Sequence, residues 1–518
     1  MMNDLIPCPL CQKPTERHRL TAAHDHAFWR RYDGACPACV QQTLLQLLLT
    51  EGDAALHEQI QTVWPLAAEA AFGALPTPLR LHADPRFTGQ GVTIALIDSG
   101  FYPHPDLTQP RNRIRTWVDV GQEEVIVHNF SPTDMPRWPA WDGAHDWQWH
   151  GTMTSVTAAG NGFLSQGLYC GLASDAELVL IQVRDSEGTI TNETITRALH
   201  WLHQHGPALG VRVVSMSVAG DPIWPLAGNP VDEAVAALVE LGMTVVAAAG
   251  NNGERQLVPP ATAPLALTIG GLDDHNTFDH DDNTLWHSNY GESSAGAFKP
   301  ELVAPSIWVA APVLPGTTVA QEAQYLFARR RQGDYSQDER VAELKLITPH
   351  YQHVDGTSFA APLVASAAAC LLQANPTLTT QLVRDLLMIT AYRLPGVPIE
   401  RQGAGVLNAG LAVALALQEM HDAVPRSPHV TTDGVSFSLH DHWVQQVQVL
   451  GSWDDWQAPG LVAQQVENGV WQTVPLSLPP GRYRYKFLLD GTRWLDDPAN
   501  PQKWPDTYGG LNSLLLLP

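Results

Sequence analysis

Long apolar runs are missing from this chain. No stretch reaches the ~18 uninterrupted apolar residues that a transmembrane helix requires, so no membrane partner is expected. Basic residues are scarce too: 30 Lys+Arg stand against 53 Asp+Glu, for a formal net charge of −23. Phosphate backbones are gripped by basic faces, and this balance argues against a nucleic-acid partner. The acidity reads instead as a source of solubility. Met1-Met2-Asn3-Asp4-Leu5-Ile6-Pro7-Cys8 lacks a charged segment followed by an apolar one, so no secretory signal is read there and a cytoplasmic protein is expected. Cysteine is sparse, six in 518 residues, and Cys170 and Cys370 stand alone in apolar surroundings. What is present suffices for packed cores: 44% of residues are hydrophobic and only 16% charged, which excludes a disordered chain.

The length suggests roughly three domains. Residues 1–45 are polar and rich in Cys and His, 46–86 carry a helical pattern and form a connector, 87–420 alternate strand and helix patterns, 421–434 form a linker, and 435–518 hold short strands with turn signals. Buried strands are predicted at Val92–Ile97, Leu178–Val183, Val211–Met216 and Thr244–Ala249. Helices are predicted at Ile195–His203, Val231–Leu241 and Ser358–Gln373. That alternation places the central region in the α/β class, a parallel sheet with helices on both faces.

Three distant segments carry the chemistry. Asp98 ends an apolar strand in Ile97-Asp98-Ser99-Gly100, where open α/β sheets place their sites. His150 opens a small-residue helix in His150-Gly151-Thr152, and Ser358 opens an apolar helix in Gly356-Thr357-Ser358-Phe359-Ala360-Ala361-Pro362. Taken singly, each is weak: Asp98 could be a loop aspartate before a Gly turn, a lone His-Gly-Thr decides nothing, and Ser358 could be a helix cap. A fourth residue, Asn251 in Gly250-Asn251-Asn252-Gly253, is either a turn residue or an amide donor to an oxyanion. In the order Asp, His, Ser, with that amide between His and Ser, they spell nucleophilic acyl transfer.

These segments, with Gly91 to Gly100, His104-Pro105-Asp106-Leu107, Ser215-Met216-Ser217-Val218 and Gly356 to Ala369, make residues 89–415 resemble a subtilisin-like serine protease. The resemblance implies Ser358 as nucleophile, His150 as general base, Asp98 as the orienting acid and Asn251 as oxyanion donor. It also implies a substrate peptide lying as a strand between Gly188-Thr189-Ile190 and Ser217-Val218-Ala219. Ile190 and Ala219 replace glycines of many relatives, which predicts a narrower cleft. Val258, near the base of the first specificity pocket, predicts a preference for small or medium apolar side chains before the scissile bond. Met153 replaces a second histidine of many relatives. Calcium is common in the family, and Asp106 matches one frequent ligand position without the remaining ligands being traceable. No folded inhibitory propeptide is recognised between Cys39 and Gly89. A long insertion between Pro305 and Ser358, with Arg329-Arg330-Arg331, reads as a solvated helical excursion, the alternative being a lid or docking surface.

Cys8-Pro9-Leu10-Cys11 and Cys36-Pro37-Ala38-Cys39 form a C-x-x-C…C-x-x-C pattern suited to a tetrahedral structural zinc. Disulfides and a redox pair are the competing readings. A partner protein could dock on such a module. At the other end, Leu450-Gly451-Ser452-Trp453-Asp454-Asp455-Trp456, Pro480 to Phe487, Asp490-Gly491-Thr492-Arg493-Trp494 and Gly510-Leu511-Asn512-Ser513 resemble a family 48 carbohydrate-binding module, an immunoglobulin-like β-sandwich. The resemblance implies α-glucan as a ligand, with Trp456 and Trp494 stacking on sugar rings and Lys486 and Asn512 holding hydroxyls. Packing roles for both tryptophans, and a spacer role for the module, stay open. The expected function is a serine endopeptidase acting on peptide or protein substrates. A non-catalytic protease-fold scaffold and a processing protease dedicated to one partner are the alternatives.

Overall fold

The computed structural model describes residues 74–517 apart from 135–145, 166, 224–227, 277–279, 331, 422–426, 432, 441–443, 468–469, 498, 501 and 507–510, together with the strands Leu5–Pro7 and Pro14–Glu16. Those two strands pair antiparallel. Cys8, Cys11, Cys36 and Cys39 lie outside the described residues, as do residues 46–73 of the connector. The chain divides into two compact units, Met1–Val413 and Ala414–Pro518.

In the first unit, apolar runs form a nine-stranded sheet. Its strands are β1 (Thr93–Asp98), β2 (Ile114–Asp119), β3 (Ile126–Asn129), β4 (Glu177–Gln182), β5 (Val211–Met216), β6 (Thr244–Ala248), β7 (Leu267–Asp273), β8 (Thr284–Leu285) and β9 (Leu302–Pro305). The spatial order is β8-β7-β6-β5-β1-β4-β2-β3, with β9 also on β7, and all but the edge strands β8 and β3 run parallel. The chain builds one side of β1 and then crosses to the other, which makes the carboxyl end of β1 the switch point where such sheets bind ligands.

Every residue of β1 is buried, and strand alternation sorts its side chains onto two faces. Ala95 and Ile97 join a cluster with Ile195, Leu199 and Leu202 of α2 (Asn192–His205) and with Val231, Val235 and Leu238 of α3 (Pro230–Glu240). Ile94 and Leu96, equally buried, take the opposite face, which α1 (Trp149–Ala159) and α6 (Thr357–Ala374) cover. Each such aliphatic side chain contributes roughly 1.5–3 kcal/mol. Capping fixes where the outer helices start: α2 has a Thr191–Thr194 capping box, and Asn229 caps α3 ahead of Pro230. Helix α6 is long and apolar enough to cross a membrane by length and composition, but it is 89% buried inside this unit, and its apolar surface is core.

The insertion is folded. It contains β10 (Val309–Pro312), α4 (Thr318–Arg330), α5 (Asp338–Glu343), β11 (Leu346–Thr348) and β12 (Tyr351–Val354). Val313, Ala323, Leu326, Val341 and Leu346 give it a small core of its own. Among the described residues its arginines are paired locally: Arg329 with Asp334, Arg330 with Asp338 at 3.3 Å, and Arg340 with Glu322 at 2.7 Å. A run of paired, solvated charges is what the helical-excursion reading expects. Upstream, residues 74–83 pack into the same unit, and Arg80 grips Asp274 through two 2.7 Å bonds with both side chains buried.

The second unit is antiparallel throughout. Its spatial order is Ser438–His440, Val470–Thr473, Leu461–Glu467, Val447–Gly451, Gly481–Leu489, Leu511–Leu517 and Lys503–Pro505, with Arg493–Leu495 also on Gly481–Leu489. Phe437, Val449, Trp471, Tyr485, Phe487 and Leu515 form its core, as expected for a small β-sandwich. Ser427, in the expected linker, belongs to this packing. Its hydroxyl and that of Tyr485 both donate to buried Asp497, whose carboxyl is pushed up to about 6 by burial.

Candidate active site

Asp98 sits at the carboxyl end of β1 with 1% of its side chain exposed. Its Oδ1 lies 2.7 Å from His150 Nδ1 and accepts from the Ser99 N–H at 2.6 Å, while Oδ2 accepts from Thr154 Oγ1 at 2.9 Å. His150 and Thr154 are one turn apart on α1, so one helix face delivers both to the two carboxylate oxygens. Gly151 makes the approach possible. A Cβ there would fall 2.2 Å from the Gly100 carbonyl oxygen and 3.0 Å from Asp98 Cβ.

The His150 imidazole is a quarter exposed, at 24%. Burial works against its charged form and is the largest single influence. The charge and the hydrogen bond of Asp98 together outweigh it, and the pKa stands above the ordinary 6.5. Trp149 stands edge-on to the imidazole with centroids 5.2 Å apart, and Trp149 is exposed to solvent.

Ser358, half-buried, is the second residue of α6. The preceding Gly356 has φ 138°, a conformation that glycine alone adopts without strain. Asn251 Oδ1 accepts from Thr357 N at 3.0 Å and from Thr357 Oγ1 at 2.8 Å. That fixes the amide and leaves Nδ2 as a donor beside the start of α6, whose free N–H groups and dipole favour negative charge. Pro362 lies inside the helix and lacks the N–H that would bind the Ser358 carbonyl. Ser217 Oγ donates to that carbonyl instead, at 2.8 Å. Among the described residues no hydrogen bond joins Ser358 to His150.

The flanking segments divide in character. Both main-chain groups of Thr189 are committed to Asp185: its N–H donates to Asp185 Oδ1 at 2.7 Å and its carbonyl accepts from Asp185 N at 2.9 Å. Gly188 serves that turn at φ 91°. Ile190, half-buried, packs against the cluster under α2 that also holds Val218. Ala219 is exposed, and Ser217 spends its hydroxyl on Ser358. Val258, half-buried, is brought beside this segment by the bond from Gly220 N to Pro259 O at 2.8 Å. Met153 is a buried filler among Val309, Ala311, Val354 and Phe359.

Asp106 does not fit a divalent cation as it stands. It is fully buried, its Oδ1 accepts from Leu164 N at 3.0 Å, and its Oδ2 accepts from Tyr351 OH at 2.5 Å. The guanidinium of buried Arg113 lies 2.6 Å from its carbonyl oxygen. Among the described residues no group of three or more His, Cys, Asp or Glu is placed to hold a metal.

In the second unit the four residues singled out from sequence share one face of the sheet. The loop after Gly451 brings Trp456 to 6.1 Å from Trp494, ring centre to ring centre, in an edge-on arrangement. Lys486 Nζ is 2.6 Å from Asp506 Oδ2. Asn512 pairs in register with Trp504, one of the tryptophans concentrated in this region, to which the sequence assigned no role. Thr154, Gly151 and Trp149 were missed as well. The four-residue spacing from His150 to Thr154 was the available signal for the first, the small-residue character of the helix that His150 opens was the signal for Gly151, and nothing in the sequence distinguished Trp149.

Comparison with known proteins bears on both units. The model of the subtilase family matches residues 89–408, and that of the glycogen recognition site of AMP-activated protein kinase matches 440–517. Serine protease AprX of Bacillus subtilis (strain 168) is 28% identical over 386 residues, covering 72% of this chain and 78% of that protein. Subtilisin BL of Lederbergia lenta is 27% identical over 326 residues, covering 63% of this chain and 91% of its own. Among solved structures, sphericase covers 65% of this chain and 99% of its own at 22% identity and a TM-score of 0.47. The subtilase match runs over more than half of the 518 residues, and the chain belongs to the subtilase family of subtilisin-like serine proteases.

Proposed function

We propose that Ser358, His150, Asp98 and Asn251 carry peptide-bond hydrolysis through an acyl-enzyme. His150 Nε2 takes the proton of Ser358 Oγ as the oxygen attacks the scissile carbonyl. Asn251 Nδ2 and the first N–H groups of α6 receive the negative oxygen of the tetrahedral intermediate. The imidazolium then gives its proton to the leaving amine, and water repeats the sequence on the acyl-enzyme. Asp98 holds the imidazole with Nδ1 protonated throughout.

The observation that carries this reading is the doubly anchored Asp98 at 2.7 Å from His150. A structural ion pair has no need of a solvent-accessible imidazole, nor of the serine turn that Gly356 sets at the start of α6. Labelling by a fluorophosphonate probe tests it. Wild type is expected to react and Ser358→Ala to stay silent. A silent wild type leaves the non-catalytic scaffold. A peptide library tests the Val258 pocket, where cleavage chiefly after small or medium apolar residues is expected and cleavage chiefly after Lys or Arg refutes it.

Trp456, Trp494, Lys486 and Asn512 bind α-glucan, supported by their common face, and localise the protease. A glycogen pull-down of the full chain, lost in Trp494→Ala, tests this. Cys8, Cys11, Cys36 and Cys39 hold a structural zinc, supported by their paired spacing. Metal analysis should return about one zinc per chain, released when Cys36 and Cys39 are replaced by serine.

A further inference from the structure

Alternation along Gly481–Leu489 separates two sets of side chains. Tyr483, Tyr485, Phe487 and Leu489 lie on the core side, which puts Lys486 and Leu488 on the other face. Trp494 pairs with Leu488. Ser513 pairs with core-facing Tyr485, so its neighbour Asn512 joins the Lys486 face, and Trp504 lies directly opposite Asn512 on the next strand. Lys486, Asn512 and Trp504 therefore form a row across three strands. With strands spaced about 4.8 Å, Trp504 stands roughly 10 Å from Lys486.

Trp494 and Trp504 are 48% and 49% exposed. Trp504 makes no contact with another aromatic ring among the described residues, and half of it is open to solvent. Between the two platforms, among the described residues, lie the Lys486 ammonium, the Asp506 carboxylate that holds it at 2.6 Å and the Asn512 amide, with apolar Leu488 beside Trp494. Flat apolar rings at both ends with donors and acceptors between them match a chain of pyranose rings, which are apolar on their faces and hydroxylated at their edges.

We propose that Trp504 is a further stacking residue, so that the module binds an extended α-glucan chain running from Trp456 and Trp494 past Lys486 and Asn512 to Trp504. The inference rests on the glucan reading of those four residues and adds to it a length preference. The distance from Trp494 to Trp504 exceeds one sugar ring, so the shortest oligosaccharides reach only the first platform.

Calorimetric titration of the full-length protein with maltose through maltoheptaose tests this. Wild-type affinity should rise with chain length. Trp504→Ala should bind maltoheptaose about three- to tenfold more weakly while matching wild type on the shortest sugar that binds. Trp504→Phe should recover part of the difference, which a collapse of the fold would not allow. Equal affinities of wild type and Trp504→Ala at every length overturn the inference while leaving the glucan reading intact. A wild type that binds no sugar of the series overturns both.

Discussion

The hydroxyl of Ser217 donates to the carbonyl of Ser358 at 2.8 Å, in the place that Pro362 leaves without an N–H partner. A proline four residues after the proposed nucleophile thus joins the catalytic turn to the end of β5, the segment assigned to flank the substrate. The carbonyl is free because of a helix-interior proline, which ordinarily weakens a helix. Here a side chain from another element takes the missing bond.

Removing that donor leaves a carbonyl unsatisfied, which costs about 1–3 kcal/mol. Ser217→Ala is expected to lower kcat more than it raises KM, because the serine turn loses its anchor while the binding segment keeps its backbone. Steady-state kinetics on a peptide ester, with thermal melting alongside, checks both effects.

With His150 as the proposed base, its raised pKa should set the acid limb of activity. The neutral imidazole would then be the working form, and kcat/KM should rise with pH through a midpoint above 6.5. In Asp98→Asn burial acts alone, the midpoint should fall below 6.5, and kcat should drop about 10⁴-fold. Stability carries the opposite sign. The folded pKa exceeds the unfolded one, so the Asp98–His150 pair stabilises fully below about pH 6.5 and loses its contribution as pH rises through the folded value. The melting-temperature difference between wild type and His150→Ala should therefore be largest near pH 5 and shrink toward pH 8.

Gly151→Ala tests the approach of α1 to β1. The added Cβ would sit 2.2 Å from the Gly100 carbonyl, so the helix must shift and His150 must leave its position over Asp98. A displacement near 1 Å costs on the order of 10²-fold in rate. Activity should fall by about that factor with circular dichroism little changed, and wild-type activity in the variant would contradict the geometry.

Arg80 and Asp274 predict a strong structural effect away from the site. Both are buried, and removing one partner leaves the other charge unpaired, at a cost of about 3–5 kcal/mol. Asp274→Asn should lower denaturant stability by that order, and replacing Arg80 and Asp274 together by apolar residues should cost less than the single change.

Much of the protease fold is legible in local sequence because its strands are buried on both faces and read as continuous apolar runs. The run Val92–Ile97 became Thr93–Asp98, Val211–Met216 was matched residue for residue, and Ser358–Gln373 became Thr357–Ala374. Edge strands were not read: Ile126–Asn129 is short and largely exposed, so its β-branched Ile126 and Val127 lack the longer apolar run that marks a buried strand. The insertion was expected as a helical excursion, and its paired arginines and private core follow from spacing that becomes apparent only once α4 and α5 are folded together.

By itself the sequence determined the reaction class. Asp98, His150, Ser358 and Asn251 each occupy a distinctive local setting, and their order along the chain is a one-dimensional property. Tertiary structure decided everything that depends on distance between segments remote in sequence: the 2.7 Å pairing of Asp98 with His150, the capture of Asn251 by Thr357, the anchoring of Ser358 by Ser217, and the packing of Ile190 against the cluster under α2. It also put Trp504 on one face with Asn512, because strand register is fixed by pairing partners and no strand carries its register alone.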